Sequence, residues 1–77
     1  MIKSILAYDT DNDLLIVFGM RYARNEWVAL EKVKALDGNY KILATSPECK
    51  SKAFYRIQDD LPDIYKDKKI FLAKRNI

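Results

Sequence analysis

Two apolar runs in the first third of the chain predict two β-strands. Residues 2–8 and residues 14–23 are rich in Ile, Leu, Val, Phe and Tyr, and residues 14–18 are apolar throughout. A continuous apolar run of this length is typical of a central strand with both faces covered. The polar stretch Asp9–Asp13 lies between them, and its short side chains favour turns by bonding to their own backbone. The pattern therefore predicts a β-hairpin.

Residues 26–36 form the next periodic segment and predict the main helix. Asn25 is a favourable N-cap residue, and the carboxylate of Glu26 suits the positive end of a helix dipole. After the segment, Gly38 can end the helix in the left-handed conformation. One stripe of the helix is apolar and predicts the face that packs on the sheet: Ala29, Leu30, Val33 and Leu36.

Trp27 does not belong to this apolar stripe. At about 100° per residue it falls nearly opposite the stripe, between charged side chains. Exposed tryptophans are enriched at interface hot spots, so we predict a docking patch around it. The predicted members are Arg24, Trp27, Val28 and Glu31. The alternative is a shorter or rotated helix, in which Trp27 covers the sheet edge or the start of the helix.

The second half of the chain predicts three more strands, at residues 40–45, 53–57 and 70–74. The turn at residues 58–63 opens one helical turn through Tyr65, with Asp60 as its cap. Charged residues on both sides of the last strand are typical of a sheet edge. The order of elements indicates an α+β fold: a small single domain over residues 1–77, with a mostly antiparallel sheet of four to five strands and one main helix packed on one face.

The amino-acid composition excludes most common kinds of catalytic and metal-binding site. The chain has 77 residues with no histidine, two glycines and a single cysteine, Cys49. Histidine is the usual neutral-pH base and the commonest metal ligand. One cysteine cannot form an internal disulfide or a thiolate zinc site, and two glycines cannot supply a phosphate-binding loop. We therefore expect a protein that is not an enzyme and has no cofactor, and we treat Cys49 as a labelling handle.

The carboxylates of the chain predict turns rather than metal or acid–base sites. Asp9, Asp11 and Asp13 match the first ligands of a calcium loop, but the loop requires glycine where Leu14 stands and glutamate where Met20 stands. Turn formation explains these three residues. Capping and turn formation also explain a second group, which no nucleophile accompanies: Asp59, Asp60 and Asp63.

The sequence predicts a cytoplasmic protein without a membrane partner. No apolar run approaches the ~18 residues that span a bilayer, and the first residues lack a long apolar stretch followed by a cleavage site. A domain this small is usually disulfide-bonded when it is secreted. Ile, Lys, Asn, Tyr, Phe and Met supply 32 residues and Gly, Ala, Arg and Pro supply 15. Such a bias is typical of an AT-rich genome, as in a low-GC bacterium or a phage.

Charge and aromatic residues in the second half favour one alternative, nucleic-acid binding. The net charge is +3, divided as −1 over residues 1–40 and +4 over residues 41–77. Basic residues alternate with aromatic ones there, as in proteins that stack bases and contact phosphates. The same aromatics are also explained by packing in the core. The candidate residues are Lys50, Lys52, Tyr55, Arg56, Lys66, Lys68, Lys69, Phe71, Lys74 and Arg75.

We expect a small protein-binding module ahead of this alternative, because a charge of +3 is low for an electrostatic binder. The module would be a regulator or inhibitor of a larger host protein, of phage or bacterial type. A homodimer is compatible with either interpretation, because an exposed sheet edge or a tryptophan patch can be self-complementary.

Overall fold

A four-stranded sheet with two helices accounts for the fold of the computed structural model, which describes residues 1–77. The strands are β1 (Ile2–Asp9), β2 (Leu14–Ala23), β3 (Tyr40–Ser46) and β4 (Ile70–Leu72), and the helices are α1 (Glu26–Lys34) and α2 (Lys50–Asp59). The strand order is β3-β1-β2-β4. β1 is antiparallel to β2 and β3, whereas β4 is parallel to β2. The predicted α+β fold is confirmed. Neither helix has the length and apolar character needed to cross a membrane.

The predicted hairpin joins β1 to β2 through an aspartate-centred turn. Asp9 is buried, and its carboxylate accepts hydrogen bonds from the backbone N–H groups of Asp11 (3.1 Å) and Asn12 (3.3 Å). It also accepts one from the side-chain amide of Asn12 (2.8 Å). Asp13 completes the turn in the left-handed region at φ 54°, which Asp adopts more readily than most residues. The turn-forming role predicted for these aspartates is confirmed.

The main helix α1 begins where the sequence predicts and ends two residues earlier. Asn25 is the N-cap, and its Oδ1 accepts the backbone N–H of Val28 at 3.0 Å. At the other end the helix tightens, because the N–H of Leu36 donates to the carbonyl of Val33 at 3.0 Å. Gly38 has a positive φ of 139°, but it lies in the loop beyond the end of the helix and does not cap it.

The strand predicted at residues 53–57 is wrong, because these residues lie inside α2. Ala53 is 2% exposed, and Phe54 and Ile57 pack partly buried beside it. This spacing is one face of a helix, whereas Tyr55 and Arg56 are exposed on the other face. The aromatic and β-branched residues suggested a strand, but packing of the Ala53 face on the sheet decides the conformation.

The predicted capping role of Asp60 is also wrong. Asp60 follows the last residue of α2, and the short helical turn comprises Asp63–Tyr65 with Pro62 before it. Proline is compatible with the start of a helical turn because the N–H that it lacks has no partner there. The last strand ends at Leu72 rather than at residue 74.

Two crossover connections place the helices on opposite faces of the sheet. α1 connects β2 to β3, and α2 connects β3 to β4. All three of these strands run in the same direction. The two connections cross the sheet in opposite directions. Parallel crossovers are almost always right-handed, and two crossovers of one hand that run in opposite directions leave their helices on opposite faces.

Each face of the sheet has its own apolar core. Neighbouring residues alternate between the two, so that Ile5 packs in the α1 core and Leu6 packs in the α2 core. The buried residues of the α1 core are Ile5, Ala7, Phe18, Met20, Ala23, Ala29 and Val33. Those of the α2 core are Leu6, Leu15, Val17 and Ala53. The central strands β1 and β2 therefore carry most of both cores.

Both edges of the sheet have features that oppose pairing with another chain. In β3, Leu43 bulges between Ile42, which pairs with Ala7, and Ala44, which pairs with Leu6. At the other edge, β4 has only three residues and is flanked by lysines. Bulges, short strands and charges are the usual protection of exposed edges. The position predicted for the last strand, at a charged sheet edge, is confirmed.

A close approach at Gly19 holds the C-terminal residues against β2. The N–H of Ile77 donates to the carbonyl of Gly19 at 2.8 Å. A Cβ on Gly19 would lie 2.6 Å from Oδ1 of Asn76 and 2.8 Å from Cδ of Lys50. Such distances are too short for an ordinary carbon contact, so a larger residue at this position would displace the side chains of Asn76 and Lys50.

Lys50 fixes the same segment from the side of α2. Its ammonium group donates to the carbonyls of Ala73 (2.9 Å) and Lys74 (2.8 Å), while its alkyl chain crosses Gly19. Hydrogen bonds that involve a charged group are stronger than neutral ones. Lys50 is therefore a structural residue that joins α2 to the end of the chain.

We expect Gly19→Ala to lower the free energy of unfolding by about 1–3 kcal/mol, because the added methyl group displaces Lys50 and Asn76. Urea denaturation followed by circular dichroism measures the change. In a Lys50→Ala background the same substitution costs less, since one of the two colliding side chains is gone. Equal costs in both backgrounds would contradict the close approach.

The hairpin turn is tied to the segment before β4 by an ion pair. Nζ of Lys68 lies 2.7 Å from Oδ1 of Asp13, which also accepts a hydrogen bond from the hydroxyl of Tyr8. These contacts, that of Lys68 first, lower the pKa of Asp13, while the bonds from Asn12 lower the pKa of Asp9. Both carboxylates are therefore stabilised in the ionised form by the folded state.

Protonation of the aspartates in this turn should lower the stability of the protein in acid. A carboxyl group with a lowered pKa contributes stability above its unfolded value, about pH 4, and loses it as the pH falls through the folded value. Asp13→Asn should therefore flatten the decline of the thermal midpoint between about pH 5 and pH 2. Asp59→Asn is the matched control, because Asp59 is exposed and has no ion-pair partner. Parallel pH profiles for wild type and Asp13→Asn would contradict the contribution.

Candidate functional site

Trp27 lies on the outer face of α1 with 69% of its surface exposed. The buried residues of the helix, Ala29 and Val33, point into the core on the opposite side. The Asn25 cap fixes the first turn and hence the direction in which Trp27 points. The predicted position of Trp27 away from the apolar stripe is confirmed, and the alternative in which it covers the sheet edge is wrong.

Two of the other predicted members of the docking patch are exposed, and the third is partly buried. Glu31 is exposed four residues after Trp27, a spacing that places the two on the same side of the helix, whereas Arg24 is exposed in the segment that precedes the Asn25 cap. Val28 is partly buried and packs against the α1 core. The exposed surface, here named the Trp27 patch, consists of Arg24, Trp27 and Glu31.

Four of the eight cations in the predicted nucleic-acid surface already have partners within the protein. Lys50 bonds to two backbone carbonyls and Lys68 pairs with Asp13. Arg56 pairs with Glu48, and Lys66 lies 2.8 Å from Asp63. The remaining four are exposed and have no ion pair: Lys52, Lys69, Lys74 and Arg75.

The fold distributes the predicted cations over two ends of the sheet. Lys68 and Lys69 lie beside the hairpin turn, where Lys68 meets Asp13 and the carbonyl of Lys69 accepts from Leu15. Lys50 and Lys74 lie at the opposite end, where β1 starts and β2 ends. The ten candidate residues therefore do not form one continuous basic face.

A basic groove at this second end combines residues from distant parts of the sequence. It has a volume of about 330 Å³ and is lined by three cations and no carboxylate. Lys3 comes from β1, Arg21 from β2 and Lys50 from α2, and the polar side chains are those of Ser51 and Asn76. Lys3 and Arg21 lie in the half of the chain whose net charge is negative. Strand pairing brings them together, so no local sequence signal could have identified the groove.

The direction of both helices adds to the positive charge at the end that carries the groove. Both helices begin at the end that carries the groove, because β2 and β3 both run toward it. Helix dipoles place partial positive charge at that end. The opposite end has charges of both signs, negative on the hairpin aspartates and Asp37 and positive on Lys41, Lys68 and Lys69. The direction of the dipoles therefore adds to the field of the basic side chains.

The predicted stacking aromatics lie apart from each other. Tyr55 is on the outer face of α2 and is 73% exposed, one turn after Ser51 of the groove. Phe71 is partly exposed on the edge strand β4, opposite Ile16 of β2. Tyr55 is close to the basic groove along α2, whereas Phe71 is on a different element. Cys49 is exposed and lines the groove directly.

We expect Trp27→Ala to change the free energy of unfolding by less than about 0.5 kcal/mol, because Trp27 contributes little to the core. Val33→Ala on the buried side of the same helix should cost about 2 kcal/mol. Urea denaturation measures both, and acrylamide should quench the fluorescence of the single tryptophan efficiently in the native state. A large loss of stability for Trp27→Ala would show that the side chain packs on the fold.

Comparisons of this chain with protein-family models, with curated proteins and with solved structures found no match. Two exposed surfaces are the candidate sites of the chain. One is the Trp27 patch on α1, and the other is the basic groove beside α2.

Proposed function

We propose that this chain is a small, non-enzymatic protein-binding module that docks on a larger partner through the Trp27 patch. The observation that supports this proposal is the 69% exposure of Trp27 on a helix that is capped and packed against the sheet. Its action would be that of a cytoplasmic regulator or inhibitor of a host protein, of phage or bacterial type. Docking that blocks a site on the partner requires no catalytic residue of its own.

An exposed tryptophan supports docking because its burial is strongly favourable. Tryptophan buries up to about 250 Å², and at about 25 cal/mol per Å² of apolar surface its transfer from water contributes several kcal/mol. In the free protein most of this gain is unused, because two thirds of the side chain remains in water. A partner pocket that receives the indole ring would realise it.

The charged neighbours of Trp27 favour a protein surface as the ligand of this patch. Arg24, in the segment before the helix, and Glu31, one turn after Trp27, are exposed charges of opposite sign near Trp27 in the chain, and Glu26 adds a second carboxylate at the start of the helix. Phosphates would be repelled by the two carboxylates. A polar rim of both signs around an aromatic centre is the usual organisation of a protein–protein interface.

The patch is also rigid before it binds. Asn25 caps the helix, and Ala29 and Val33 anchor it to the sheet. A preorganised surface loses less conformational entropy on association. The expected binding mode is therefore docking of a preformed helix face, with little change in backbone structure.

Site-specific photo-crosslinking tests this proposal. A benzophenone amino acid at position 27 should give one dominant protein adduct in a nuclease-treated lysate of the source cell. The same amino acid at position 64 is the matched control, because Ile64 is 75% exposed and lies outside the Trp27 patch. Excess wild-type protein should compete for the adduct, whereas excess Trp27→Ala should not.

With the crosslinked partner purified, calorimetry should show that Trp27→Ala weakens binding by on the order of 2 kcal/mol. Arg24→Ala and Glu31→Ala should have smaller effects, because they are solvated rim charges. Equal adducts from positions 27 and 64, or an unchanged affinity for Trp27→Ala, would contradict docking through this patch.

A further inference from the structure

We infer that the basic groove beside α2 binds the phosphate backbone of single-stranded nucleic acid. This inference is independent of the Trp27 patch, which lies on the other helix. Four segments of the chain contribute side chains to the groove: β1, β2, the start of α2 and the C-terminal residues. The proposed contacts are Lys3 and Arg21 to phosphate oxygens, with Ser51 and Asn76 as hydrogen-bond donors.

The groove has uncompensated positive charge. Lys3 and Arg21 are exposed and have no ion-pair partner. The ammonium group of Lys50 is bonded to two neutral carbonyls, so its charge is not cancelled. No carboxylate lines the groove. Clustered cations without counter-charges repel one another and gain most from an anionic ligand.

Neighbouring residues extend the positive charge beyond the groove. The carbonyl of Lys74 accepts from Lys50, so the exposed Lys74 and Arg75 are attached at its border. Lys52 continues the positive charge along α2. A row of separate cations fits a ligand with regularly repeated charges better than it fits a single small anion. The phosphodiester backbone has this character.

Tyr55 favours a single strand over a duplex. It lies one helical turn from Ser51, and its ring is largely exposed. Two cations and two carboxylates surround the ring, Lys52, Arg56, Glu48 and Asp59, and an exposed aromatic ring next to cations can stack on unpaired bases. In a duplex the bases are already stacked on each other, so Tyr55 would contribute nothing. The path from Arg21 through Ser51 to Tyr55 therefore defines the expected course of the strand.

Fluorescence anisotropy of a labelled oligonucleotide of about ten nucleotides tests the inference. Saturable binding should weaken between about 50 mM and about 200 mM salt, with a logarithmic slope of about −1.4 for the two phosphate contacts of Lys3 and Arg21. Lys3→Glu and Arg21→Glu should each weaken binding by roughly tenfold and reduce the slope by about one. Tyr55→Ala should weaken single-strand binding and leave duplex binding unchanged.

Lys41→Glu is the matched control for these charge reversals. Lys41 is exposed on β3 next to Tyr8, at the opposite end of the sheet from the groove, and the substitution changes the net charge equally. Unchanged binding by this variant supports a local groove, and equal losses for all three variants would overturn it. Circular dichroism of each variant confirms that the fold is intact.

Chemical modification of Cys49 provides a second test without a substitution. Iodoacetamide and iodoacetate attach groups of similar size to this exposed cysteine of the groove, but only iodoacetate adds a negative charge. The iodoacetate product should bind the oligonucleotide several-fold more weakly than the iodoacetamide product. Equal affinities of the two products would argue against phosphate contact at this position.

Four further outcomes would overturn the inference or its independence of the Trp27 patch. Absence of saturable binding at about 50 mM salt removes nucleic acid as a ligand. Binding of inorganic phosphate that competes fully at equal concentration assigns the groove to a small anion. Tighter binding of a glutamate-rich peptide than of the oligonucleotide assigns it to an acidic protein surface. Loss of oligonucleotide binding in Trp27→Ala would show that the two surfaces are one site.

Discussion

The common hand of the two crossovers is the constraint on which the rest of this structure depends. β2, β3 and β4 run in the same direction, so each connecting helix must return along the sheet before the next strand begins. Because the connections cross the sheet in opposite directions, one hand places α1 and α2 on opposite faces. Because β2 and β3 run in the same direction, the helices that follow them begin at the same end of the sheet. The Trp27 patch and the basic groove therefore lie toward one end of the molecule but on different helices.

Polar contacts hold the edge of the small sheet at β4, where few apolar contacts are available. β4 has only three residues and pairs with one neighbour, so its own contacts are few. Lys68 holds the segment before it through Asp13, and Lys50 holds the segment after it through two carbonyls. Both lysines were candidates for phosphate binding on sequence alone. Their structural roles show why a count of cations overestimates the charge available to a ligand, since an ammonium group that fixes the backbone cannot move to a phosphate.

Local sequence signals predicted the elements whose conformation depends on interactions within a few residues. The Asn25 cap, the aspartate turn and the apolar run of β2 each act within a few residues, and the structure contains all three. The conformation of α2 depends instead on how Ala53 packs against the sheet, which residues 53–57 alone do not reveal. Trp27 was identifiable because helical periodicity places it relative to its own helix. The groove was not, because Lys3 and Arg21 become neighbours of Lys50 only through strand pairing and the second crossover.

Net charge is therefore a poor guide to what this chain binds. A charge of +3 is low for a protein that depends on long-range attraction, yet the attraction felt by a ligand is set within a distance of about 10 Å. The longest dimension of the molecule, 31 Å, exceeds this distance, so salt screens the groove from charges at the far side of the molecule. At the groove a ligand meets Lys3, Arg21 and Lys50 with no carboxylate among them. At the Trp27 patch it meets both signs around an apolar ring. The two proposed surfaces of this small fold would therefore distinguish two ligand classes, although the composition of the whole chain favours neither.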